Sequence, residues 1–170
     1  PLNPIINARS YGELPENVSA KGLALMQGMQ DSGVLACAKH FPGHGDTESD
    51  SHKTLPVINH SKARIDTIDL LPFKQLVDGG VASVMVAHLN IPSLDSTFNR
   101  ASTLSPFVVD TMLKQQLNFK GLIFTDALNM KGVSSYFESG ELEVAALLAG
   151  NDVLLFPEDI PAAFSAIKRA

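Results

Sequence analysis

The strongest constraint on the fold is a rhythm. Short β-branched or apolar runs recur at Leu2 to Ile6, Val34 to Lys39, Ser83 to His88, Gly121 to Thr125 and Asp152 to Phe156, and amphipathic stretches fill the intervals. The runs have strand length and the intervals have helix length. The helical stretches lie at about Pro15 to Ser32, Ala63 to Asp78, Ser105 to Asn118, Gly140 to Ala149 and Ile160 to Arg169. In the third of these, Pro106 suits a first turn, Ser105 offers a cap, and Phe107, Val108, Met112 and Leu113 share one face. Gly33, Gly80 and Gly150 each stand past a helix and before a strand, where a left-handed glycine ends a helix at little steric cost. Continuously apolar strands alternating with helices predict a parallel sheet covered on both faces.

Two α/β architectures meet that description, a doubly wound open sheet and an eightfold β/α barrel. The placement of polar residues favours the barrel. Lys39 and His40, His88, and Asp126 each stand at the carboxyl end of a different predicted strand, the rim where barrel enzymes gather catalytic groups. A closed barrel takes about 250 residues. The expected fold is therefore a partial (β/α)8 TIM barrel of about five strand-helix units, with residues 1–170 as a single incomplete domain. No repeat, low-complexity tract or linker divides the chain.

Composition narrows the partners. With 45% hydrophobic and 18% charged residues, the chain can bury a substantial core. A net charge of -5, with no run of Lys and Arg, makes nucleic acid or an anionic membrane surface an electrostatically poor partner. The longest apolar stretches reach about six residues against the ~20 of a membrane span. No signal pattern opens the chain, so the compartment stays open. The single cysteine, Cys37, lies in the apolar run Val34 to Ala38 and is expected to be core filler.

The densest chemistry follows the second predicted strand, in Lys39-His40-Phe41-Pro42-Gly43-His44-Gly45-Asp46-Thr47-Glu48-Ser49-Asp50-Ser51-His52. Three of the five histidines fall here, with three carboxylates. A solvated loop of turn-forming residues is the plainest reading. A metal site is a second, since His40, His44, Asp46, Asp50 and His52 offer N and O ligands, but their spacing matches no standard zinc pattern. Phosphate cradling by the glycines is a third, without the Gly-Lys-Ser/Thr that would support it. A fourth takes Asp50 and His52 as a dyad. Residues two apart in an extended segment point to one side, so the carboxylate can orient the imidazole and raise its pKa until the ring can donate a proton near neutrality.

The run Gly121-Leu122-Ile123-Phe124-Thr125-Asp126 carries a buried strand into a carboxylate. Asp126 could simply cap the next helix. Combined with an acid/base histidine at the same rim, it describes a double-displacement glycosidase.

Three strings then carry a resemblance. KHFPGHGDTESDSHKTLP, from Lys39 to Pro56, resembles the signature of bacterial glycoside hydrolase family 3 β-N-acetylhexosaminidases; GLIFTDALNM, from Gly121 to Met130, resembles the family's nucleophile segment; and NPIINARSYG, from Asn3 to Gly12, resembles the strand and loop before them. The resemblance implies that Asp126 is the nucleophile, His52 the acid/base and Asp50 its orienting partner. It further implies that Arg9, Lys39 and His40 bind hydroxyl groups of a terminal N-acetylglucosamine, and it matches His88 to a position near the sugar. His44 is expected to shape the loop and His60 to lie at the surface. The substrate so implied is an N-acetylglucosamine-containing saccharide, such as a peptidoglycan fragment, cleaved without cofactor or metal. Thr125 stands where the family more commonly has serine. The units present match the C-terminal part of the family's barrel, whose upstream strands supply another acidic sugar ligand. Activity of this chain alone is thereby in question, and the missing N-terminal barrel portion or a partner chain is expected to be needed. The rival reading is a catalytically incomplete carbohydrate-binding or structural fragment. A metal-dependent hydrolase is the third.

Overall fold

The structure, a computed structural model, describes residues 6–47 and 54–170. Asp50 and His52 therefore lie outside the described residues, as does nearly all of the first predicted strand, Leu2 to Ile6.

The elements follow the expected alternation. Helix α1 spans Pro15–Asp31, strand β1 Cys37–Phe41, the short helix α2 Lys62–Arg64, helix α3 Leu71–Asp78, strand β2 Ser83–Val86, strand β3 Leu122–Thr125, and helices α4, α5 and α6 Lys131–Ser134, Glu141–Leu148 and Ile160–Arg169. Between β2 and β3 runs a wide π-type helix, Phe107–Gln116. Among the described residues the strands form one parallel sheet in the order β1-β2-β3. Sequential parallel neighbours joined by helices are what repeated βα units produce. Gly33, Gly80 and Gly150 all adopt positive φ, as the sequence led us to expect.

Three departures have local causes. The stretch from Ala63 to Asp78 is not one helix: α2 passes into a π turn at Ile65–Asp69 and restarts as α3. Pro72 in the first turn of α3 has no N–H to donate and crowds the carbonyl four residues back, which breaks the ladder. The predicted strand Asp152 to Phe156 contracts to a single parallel bridge, Val153 to Phe124. Side chains take the ladder positions beside it: Ile123 N–H donates to Asp152 Oδ2 at 2.8 Å, and Leu155 N–H donates to Thr125 Oγ1 at 2.9 Å. Cys37, expected in the core, is exposed. Alternation along β1 turns Ala36 and Ala38 inward and Cys37 and Lys39 out.

The larger core packs β1, β2 and β3 against α1, α3 and the π helix, with Val84, Val86, Val109, Leu113 and Ile123 completely buried. A smaller cluster of Ala101, Leu104, Leu128, Val133, Leu142 and Ala146 lies under the segments that follow β3. Burying each large apolar side chain contributes about 1.5–3 kcal/mol.

Candidate active site

Register decides which side chains meet. Ala38 pairs with Val84 and Val84 with Ile123; two steps on along β2, Phe41 pairs with Val86 and Val86 with Thr125. The carboxyl ends of the three strands are therefore level. The next amides hold them so: Ala87 N–H donates to Phe41 O at 2.8 Å and Asp126 N–H to Val86 O at 2.9 Å. Between Lys39 and Phe41 the pairing slips by one residue, leaving His40 as the extra member of a bulge. Bulges re-aim side chains at sheet ends.

Around His40 the charged groups converge. Burial holds its imidazole down to a pKa of about 4, opposed by the Asp126 carboxylate and reinforced by the positive charges of Lys39 and Arg9 and by His44. Asp126, Lys39, Arg9 and His44 thus all act electrostatically on one ring. A neutral imidazole can donate from one nitrogen and accept at the other, which suits it to sugar hydroxyls. Arg9, Lys39, His40, His44 and Asp46 line a cleft of about 940 Å³ that runs along β1 between α1 and α3. Asp126 is not part of its wall.

Asp126 is half-buried just past the buried Thr125, and its Oδ1 accepts from Ala127 N–H at 2.9 Å. One carboxylate oxygen is tethered to the backbone. His88, two residues past β2, is completely buried. Its Nδ1 lies 2.7 Å from Thr103 Oγ1 and its Nε2 3.0 Å from Ala127 O. Both ring nitrogens are engaged within the protein, and burial lowers the ring's pKa.

His44 is buried with Nδ1 3.0 Å from Thr47 Oγ1, so it does pack into its own loop. His60 is only partly at the surface: its Nε2 meets Asp46 Oδ2 at 3.1 Å. Asp46 Oδ2 also accepts from Arg64 at 2.5 Å, and Arg64 reaches Asp69 Oδ2 at 3.2 Å. Sequence reasoning gave no role to Arg64, Asp69 or Thr103. Nothing local distinguishes them from surface charges or an ordinary threonine. Gly43 sits at φ +140 beside this network, and a Cβ there would lie 2.8 Å from Asp69 Cβ. Among the described residues no three His, Cys, Asp or Glu side chains converge as metal ligands would, and no helix is long and apolar enough to cross a membrane.

Comparison with known proteins gives this geometry its context. Beta-hexosaminidase A of Pseudoalteromonas piscicida is 37% identical over 167 residues, covering 92% of this chain and 28% of that protein. A glycoside hydrolase family 3 beta-N-acetylglucosaminidase from Paenibacillus sp. str. FPU-7 superposes with a TM-score of 0.95 at 40% identity, over 99% of this chain and 32% of that one. NagZ from Neisseria gonorrhoeae, solved in complex with N-trifluoroacetyl-D-glucosamine, superposes with a TM-score of 0.82 at 32% identity, over 97% of this chain and 47% of that one. The chain thus spans between about a quarter and a half of the length of these relatives. The three parallel strands, with their helices, match part of the barrel-like domain of such proteins. The family model for the glycosyl hydrolase family 3 N terminal domain matches residues 1–170 throughout, and the chain belongs to that family.

Proposed function

We propose that the protein serves as the catalytic-barrel segment of a retaining exo-β-N-acetylglucosaminidase acting on terminal β-linked N-acetylglucosamine, with peptidoglycan fragments as the natural source. The observation that carries this reading is that Lys39, His40 and Asp126 stand at the level carboxyl ends of β1 and β3, with the charges of Asp126, Lys39 and Arg9 all acting on the His40 ring.

In the reaction the untethered oxygen of Asp126 attacks the anomeric carbon while His52 protonates the leaving oxygen, so the glycosidic C–O bond breaks as the glycosyl-enzyme bond forms. Neutral His52 then takes a proton from water, whose oxygen attacks the same carbon and releases Asp126. Asp50 orients His52 throughout. Arg9, Lys39 and His40 hold the sugar hydroxyls. The roles of Asp50 and His52 rest on their place in the loop sequence and on the family.

The test is a pair of substitutions in the full-length protein. Asp126→Ala is expected to abolish turnover. His52→Ala is expected to slow hydrolysis by about 10²–10⁴ with poor leaving groups and much less with an activated aryl N-acetylglucosaminide. Equal losses on both substrates would remove His52 from the acid/base role. Activity unchanged after exhaustive chelation is also expected, and loss of activity would favour a metal-dependent hydrolase.

A second reading is supported by the cleft that Arg9, Lys39 and His40 line without Asp126. On that reading these 170 residues bind a saccharide without completing the reaction geometry. Assaying them beside the full-length protein separates the two, since activity only in the longer chain favours the incomplete fragment.

A further inference from the structure

We propose that His88 is a positioning residue for the nucleophile, acting through the Ala127 peptide rather than on the sugar. The proposal rests on the reading of Asp126 given above.

Ala127 O can only accept, so the His88 Nε2 that faces it at 3.0 Å carries the proton. In the neutral ring Nδ1 is then the acceptor, and the Thr103 hydroxyl at 2.7 Å donates to it. The tautomer follows from the partners. Ala127 is thereby gripped on both sides: its carbonyl by His88, and its N–H by Asp126 Oδ1 at 2.9 Å. The carbonyl belongs to the Ala127–Leu128 peptide, whose N–H is also held by Leu155 O at 2.8 Å, and the N–H to the Asp126–Ala127 peptide. With the first peptide fixed, a change in the backbone dihedrals of Ala127 is what would swing the donor away from the carboxylate. Because Oδ1 is held there, the other oxygen is the one left to attack.

The grip is itself anchored. Thr103 is completely buried, and its carbonyl accepts from Asn151 Nδ2 at 2.8 Å. The same amide donates to Ala146 O at 2.7 Å, and Asn151 lies two residues before Val153, which bridges to β3. The chain His88–Thr103–Asn151 therefore links the segments that follow β2 and β3 beneath the nucleophile. A ring with zero exposure and both nitrogens occupied has nothing left to offer a sugar hydroxyl.

The experiment uses the full-length protein with an aryl N-acetylglucosaminide, reading kcat and KM separately together with inhibition by N-acetylglucosamine itself. His88→Ala is expected to lower kcat by about 10–100-fold, the scale of a misplaced reacting group, by the same factor for activated and poor leaving groups, with KM and inhibition changed less than about 3-fold. His88→Gln, whose amide can still donate to Ala127 O, and Thr103→Ser are expected to recover most of kcat, whereas Thr103→Val is not. A rise of tenfold or more in KM and in the inhibition constant with kcat intact would make His88 a sugar ligand and overturn the proposal. Unchanged kcat in both His88→Ala and Thr103→Val would overturn it equally. Should His88→Ala fail to fold, Thr103→Val against Thr103→Ser decides alone. Turnover persisting in Asp126→Ala would instead sink the reading of the nucleophile, an outcome that none of the His88 variants imitates.

Discussion

His40 is a base with its proton withheld. Its folded pKa of about 4 lies below the ordinary 6.5, so between those values the unfolded chain binds a proton that the folded one does not. Stability therefore falls as pH drops from about 6.5 and levels off below about 4, and this ring alone contributes at most about 3 kcal/mol to the loss. Buried His88, shifted the same way, adds to the slope, whereas Asp69, raised by its own burial, opposes it where its carboxyl takes up a proton. Urea midpoints measured across this window should move less in His40→Gln than in the parent; parallel curves would show that His40 is not the group responsible. A few residues away, Gly43 has no room for a methyl group at φ +140 with Asp69 Cβ only 2.8 Å from where it would sit. Gly43→Ala is expected to cost about 1–3 kcal/mol in the same assay.

The level strand ends depend on the elements beneath them. The π helix presses Val108, Val109, Met112 and Leu113 onto the sheet, each 1% exposed or less. Leu113→Ala is expected to cost about 2–5 kcal/mol, as transfer and cavity terms add, and a loss below about 1 kcal/mol would show that the site collapses onto the gap. The Asp46, His60, Arg64 and Asp69 network belongs to another class. Asp46 is nearly half exposed, so screening leaves each pair worth about 0–1 kcal/mol. Asp46→Ala should change the urea midpoint little at 0.5 M salt and slightly more at low salt. Its contribution is geometric: it joins the loop after β1 to His60 and to Arg64 at the end of α2.

For the molecule as a whole, exposed apolar surface is the governing feature. Leu35, Leu148, Phe156, Ile160 and Phe164 are each more than 60% exposed, and single exposed residues of this kind are ordinary whereas contiguous patches are not. Phe156, Ile160 and Phe164 follow one another along α6 and its approach. The 170 residues alone are expected to self-associate with rising concentration, and sedimentation showing a strict monomer at high micromolar concentration would contradict this. The sequence by itself determined the βα alternation, the helix-ending glycines and the residues standing at the strand ends, because periodicity and turn chemistry act over a few neighbours. It also pointed to the family, through strings of adjacent residues. Only the tertiary structure decided that the ends of β1, β2 and β3 are level, that Cys37 faces out, that Asp152 to Phe156 makes a single bridge, and that His88 grips Ala127 and Thr103. Those outcomes depend on register and on partners 15 to 46 residues away in sequence, and contacts at that separation are set by packing, which no local pattern encodes.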